Sequence, residues 1–212
     1  TRLVGLSAAS GVGASDDPQA EQLRTAPEVI STNLTFPYVE GMAFASALRS
    51  ELGQAGIDAA FRDPPDSTEQ ILYPERYLDR RDRPAQIELT PPHARWCRSP
   101  AQTLGMLDLR VLLRSFAGGD SAAEGWDGDR FALWEIEGAE PLLAWVTVWD
   151  WVGQARRFER AYTRALRNKR GDDRFAVVRQ DDVVSVIEGA EPSDALFWAT
   201  GLLESRITRD PR

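Results

Sequence analysis

The sequence predicts an α+β fold, in which an N-terminal helical part packs with a C-terminal four-stranded antiparallel sheet built from two β-β-α units. Three observations lead there. Apolar residues recur at three- and four-residue steps over 38–52 and again over 104–116. After Trp126 the pattern changes to strands alternating with helices. GDRFALW at 128–134 is echoed by DDRFAVV at 172–178, and each copy continues as strand, turn, strand and amphipathic helix. The implied divisions are a flexible lead-in with the start of the helical part over 1–35, a helical region over 36–120, and the β-β-α-β-β-α region over 121–212.

Residues 5–19 are small and polar, without the strand and lysine that a phosphate loop needs. From Phe36 the spacing of Tyr38, Met42, Ala45, Leu48 and Leu52 predicts a helix, with Gly53 as its stop and a short second helix over 57–61. The run DPPDSTEQILYPERY, 63–77, forbids helix at Pro64-Pro65. Ser67 to Gln70 then reads as a capping box, and Pro74 ends the turn it starts. Glu69 falls in that first helical turn, where the dipole favours an acid. A charged linker over 79–92 carries a short strand at 86–89. The stretch 104–116 forms a helix with Leu104, Leu107, Val111, Leu112 and Phe116 on one side, closed by Gly118-Gly119. In the repeat, Phe158, Ala161, Tyr162 and Ala165 mark the first helix, and Ala195, Trp198, Ala199 and Leu202 the second. Both helices are expected on one face of the sheet. Because 142–149 is apolar on both sides, the N-terminal helices are expected to cover the other. The repeated IEGAEP, at 136 and 187, is out of phase with the echo and reads as shared turn chemistry.

The 212 residues carry a net charge of −8 and seven tryptophans. That is enough apolar material for a core. Lys169 is the only lysine, and arginines are interleaved with acids almost throughout, which argues against nucleic acid as a partner. No apolar run reaches the roughly 20 residues of a membrane helix. The chain begins at Thr1 without methionine, which points to a removed leader or a longer product.

Catalytic chemistry has little to draw on. With His93 and Cys97 each alone of its kind, neither a histidine-based zinc site nor a Ser-His-Asp triad is available, and the 93/97 pair sits in an irregular segment. No metal or cofactor is expected. Two carboxylate pairs remain, Glu69 with Glu75 and Asp127 with Asp129, and a hydrolase would need one of them facing a cleft. Trp145, Trp149 and Trp151 lie at strand spacing, where core is the ordinary fate.

FPYVEGMAF at 36–44, DPPDSTEQILYPERY at 63–77, GWDGDRFAL at 125–133 and AWVTVWD at 144–150 resemble, in that order, the C-terminal half of a family of bacterial secreted proteins and lipoproteins. Members of that family look like zinc metallopeptidases, because an upstream helix carries His-Glu-x-x-His followed by Glu-Gly-Asp-Ala. The resemblance covers 36–166. This chain has Tyr73 where the family's usual form has histidine, and nothing before Phe36 matches the zinc helix. The resemblance implies a non-catalytic C-terminal region of an extracytoplasmic or envelope-associated bacterial protein, the chemistry lying upstream. The alternatives are a stand-alone binding module and, behind it, a carboxylate-dependent hydrolase. Candidate contacts for a protein or peptide partner, or for an upstream peptidase part, are Glu69, Tyr73, Glu75, Arg76, Tyr77, Trp126, Asp129 and Arg130.

Overall fold

The computed structural model describes residues 18–90, 97–117, 119–135 and 140–210. The lead-in up to residue 17, His93, Trp96, the side chain of Cys97 and residues 136–139 lie outside these. Helix α1 (Pro18–Thr25) precedes a long helix α2 (Glu28–Arg62). Helix α2 starts eight residues earlier than the apolar spacing predicts, through Pro37 and a stretch rich in Ser, Thr and Asn. Contacts to helix α5 (Gly105–Ala117) hold these early turns: Asn33 donates to Asp108 at 2.7 Å, and Arg114 and Ser115 donate to Glu28 at 3.1 and 3.0 Å. Gly53, the expected stop, is a kink instead, with φ 67° and ψ −157°, and the helix resumes beyond it through 57–61.

The burial of α2 differs from its pattern. Phe44, Leu48 and Gly56 face inward, while Ile30, Leu34, Met42 and Tyr38, the last 75% exposed, form an outer stripe. Helices α3 (Thr68–Leu72) and α4 (Glu75–Leu78) make the corner, separated by Pro74. Strand β1 (Gln86–Glu88) follows, then the two-residue β2 (Cys97–Arg98). In α5 the residues fully withdrawn from water are Met106, Leu109 and Leu113, beside the expected Leu107 and Val111; Phe116 is partly exposed.

The two β-β-α units are β3 (Trp126–Glu135), β4 (Leu142–Trp149) and α6 (Val152–Arg170), then β5 (Phe175–Gln180), β6 (Val183–Glu188) and α7 (Pro192–Leu202). The four long strands form an antiparallel sheet in the order β3-β4-β6-β5, with β2 added beyond β3. The α+β class and the repeat therefore hold. The echoed Phe131 and Phe175 both lie in the first strand of their hairpins, paired with Trp145 and Glu188, at different distances from the turn.

The two helices lie on opposite faces, correcting the expectation of one shared face. On one face Trp145, Trp149, Val184 and Val186 pack with Phe158, Tyr162 and Leu166 of α6 and with Met106, Leu109 and Leu113 of α5. On the other, Leu142, Ala144, Val146, Val148 and Ile187 pack with Ala195, Ala199 and Leu202 of α7 and with Ile87 of β1. Both faces of β4 are apolar, and burying each is worth about 25 cal/mol per Å² removed from water. Since α5 and α6 already occupy the first face, α7 takes the second. The N-terminal helices accordingly lie on the α6 side. The second face is completed by a ribbon in which β1 pairs antiparallel with β7 (Arg206–Thr208), joining segments more than a hundred residues apart.

Candidate functional site

The corner is built as its letters suggest, with one change. Ser67 is extended and accepts from the Gln70 amide at 3.3 Å, as an N-cap does. The Gln70 side chain reaches back one residue further than a regular capping box, accepting from the Asp66 amide at 2.8 Å, and its Nε2 donates to the Asp82 carbonyl at 2.7 Å. Arg81 clamps the proline bend from outside, donating to Asp66 at 2.6 Å and to Asp63 and the Pro64 carbonyl.

Arg76 is the hub beneath the corner. It donates to Asp150 at 2.7 Å and to Asp82, and its Nη1 lies 3.6 Å from Glu69. One guanidinium thus faces three carboxylates. Glu69 is the deepest of them, only 3% exposed, and its Oε1 has no hydrogen-bond partner among the described residues. Burial pushes its carboxyl up to about 8, with Arg76 pulling the other way and Asp150 and Asp82 adding to the rise. A cavity of about 350 Å³ opens in front of Arg76, lined by Glu75, Asp150, Arg209 and the exposed Trp151 among others. Arg209 ties this wall to the sheet through Asp182 at 2.9 Å and Asp127 at 3.7 Å. Glu69 does not line the cavity; it sits behind Arg76.

Asp129 makes the second centre. Its Oδ1 accepts from the Gly105 amide at 2.9 Å and Trp126 Nε1 at 3.0 Å, and its Oδ2 from the Leu104 amide at 2.9 Å and Trp145 Nε1 at 3.0 Å. Burial raises its carboxyl above the ordinary value, against the pull of these four donors. All four are N–H groups, which donate and cannot accept, so none of them can exchange a proton with the Asp129 carboxyl. Its neighbour Asp127 is also buried, but beside Arg209. Between them Gly128, at φ 151°, makes a bulge in β3, where an added Cβ would meet the Ala85 carbonyl at 2.7 Å.

The eight candidate contacts therefore divide between two places. Glu75 and Arg76 line the Arg76 cavity, with Glu69 behind. Trp126, Asp129 and Arg130 border a separate recess of about 510 Å³ on the far side of Ser67 and Thr68. Tyr73 is half-buried against the α5–α6 core, where burial raises its phenol. Tyr77 stacks edge-on against Phe44 at 5.3 Å and donates to the Asp63 carbonyl at 2.7 Å. Glu69 and Glu75 do not meet across a cleft. Trp145 and Trp149 are core, while Trp151 is 70% exposed at the cavity rim. Asp82, Asp150 and Arg209 escape sequence reasoning. Each is an ordinary charged residue in a charged chain, joined to Arg76 only by the folding of remote segments. Among the described residues, no group of three or more His, Cys, Asp and Glu is placed to hold a metal ion, and no helix is long and apolar enough to cross a membrane.

A family described as a domain of unknown function (DUF8575) matches residues 92–200, just over half of the chain. Neither a curated protein nor a solved structure matches.

Proposed function

The chain belongs to the DUF8575 family, and from that premise we propose that it is a non-catalytic packing and contact region, the C-terminal part of a metallopeptidase-like bacterial envelope protein. The observation that carries the contact role is the outer stripe of α2. Ile30, Leu34, Tyr38 and Met42 succeed each other at four-residue steps and face solvent, although the inner side of the same helix is packed on α5 and the corner. An apolar row of this kind, outside both core clusters, suits a protein partner or a peptidase part of the same product. The metallopeptidase-like and envelope setting is supported by the sequence resemblance over 36–166.

The carboxylates support the non-catalytic half of the reading. Asp129 borders a recess, but both its oxygens are taken up by N–H donors, and Glu69 is screened from the cavity by Arg76. The hydrolase alternative draws on one specific feature, the raised carboxyl of Glu69, which is the state a general acid needs. A single pair of experiments separates the readings. The purified chain is expected to hydrolyse neither peptide nor glycan substrates, and Leu34→Asp with Met42→Asp is expected to keep the thermal midpoint within about 2 °C, as for surface positions. Hydrolysis that disappears in Glu69→Gln would establish the hydrolase instead. A collapse of the midpoint in the double variant would mean that the stripe is core, and would remove the contact role.

A further inference from the structure

Helix α6 departs from the even mixing of charge elsewhere in the chain. Over 152–170 it carries seven cations and one acid, Glu159, which is taken up by Arg179 at 3.0 Å. Arg156, Arg160 and Arg164 follow at four-residue steps on its outer side, all exposed. None has an acidic partner within ion-pair distance among the described residues, whereas Arg76, Arg81, Arg110, Arg114, Arg174 and Arg209 are all paired. In a molecule of net charge −8 this is an isolated concentration of unneutralised guanidinium.

The arginines also border a concavity. A recess of about 500 Å³ lies between α6 and the turn that follows α5, lined by Arg156, Arg157, Arg160 and Arg164 with Ser121 and Gly153. Arg157 is fixed at its rim by the Ser121 carbonyl at 3.2 Å and Glu124 at 3.3 Å. The other three are free to turn inward, and an added Cβ on Gly153 would meet nothing within 4 Å, so that wall is open.

We propose that this recess binds a compact, multiply phosphorylated ligand. Guanidinium is the side chain best matched to phosphate, donating two parallel N–H bonds to a pair of oxygens. Arg156 to Arg164 spans about 12 Å along the helix, at roughly 6 Å per step. That length holds two or three linked phosphates and is too short for an extended acidic peptide. Single-stranded nucleic acid is disfavoured because the recess contains no aromatic ring on which a base would stack.

Titration calorimetry of the whole chain with sodium tripolyphosphate at low ionic strength tests this. One ligand per chain is expected. Arg156→Gln, Arg160→Gln and Arg164→Gln combined should weaken binding by more than about tenfold, and Arg160→Gln alone by about threefold. Arg49→Gln, on exposed α2 surface, should leave binding unchanged, and added salt should weaken it in the wild type. Because the three arginines are exposed, the variants are expected to melt as the wild type does, and the single variant carries the test if the triple variant does not fold. Absence of binding overturns the proposal, as does equal binding by wild type and Arg160→Gln. Tighter binding of a 20-nucleotide single strand or of polyglutamate than of tripolyphosphate overturns the ligand class.

Discussion

Glu69 reads, in the sequence, as a helix-start acid, and its position in α3 agrees. What the letters do not disclose is that α3 lies with this side chain inward, where one cation, Arg76, serves three carboxylates. The proton then belongs to the group with least water. With a folded value of about 8 against an ordinary 4.5, Glu69 keeps a proton that the unfolded chain releases. Stability is therefore fully present below about pH 4.5 and declines as pH rises through 8, by up to about 1.4 kcal/mol per pH unit. Glutamine imitates the protonated form and has no such slope. Urea melts of wild type and Glu69→Gln from pH 5 to 8 should diverge steadily in favour of the variant; parallel profiles would mean that Glu69 is ionised in the fold. Asp82, Asp150 and Arg209 could not be foreseen as its companions, because nothing local to them distinguishes them from the other charged residues of the chain.

At the scale of elements, legibility follows the range of the forces involved. The Ser67 cap, the Pro74 stop and the α6 stripe of Phe158, Ala161, Tyr162 and Ala165 depend on neighbours within one or two turns, and all appear where the spacing puts them. The side of the sheet that α7 covers depends on competition among remote apolar surfaces, and there the expectation failed. Gly53 kinks α2 instead of ending it, and Tyr38 and Met42 turn to solvent, since periodicity reports an apolar face without reporting what stands opposite. Helix α5 shows how such remote forces work. Its first amides are capped by Asp129 of β3, and the Leu107 amide donates to Thr68 of α3 at 3.2 Å. Asp129→Asn turns an amide N–H toward these donors and is expected to cost about 2–4 kcal/mol. Ser67→Ala should cost about 0.5–2 kcal/mol. Chemical denaturation gives both values, and an Asp129→Asn cost below that of Ser67→Ala would refute the view that Asp129 joins helix to sheet.

For the whole molecule, the β1–β7 ribbon decides how the corner is held. Beyond the three paired residues on each side, Ser205 accepts from the Thr90 amide at 3.1 Å, and Arg209 reaches Asp127 and Asp182. Removing residues 206–212 strips Ile87 of its partner and the Arg76 cavity of one wall. The shortened chain should keep the far-ultraviolet signature of the sheet yet show faster proteolysis within 79–90, read by mass spectrometry of timed digests. Unchanged cleavage there would mean that the corner stands without the ribbon. The ribbon lies astride the family match, β1 just before residue 92 and β7 just after residue 200. The two short strands thus lie at opposite ends of the matched stretch and are partners to each other. The ribbon therefore acts as a clasp whose halves stand or fall together: among the described residues each strand pairs only with the other in its two-stranded sheet, so loss of the stretch around Ile87 leaves the stretch around Ile207 with unpaired amides and carbonyls.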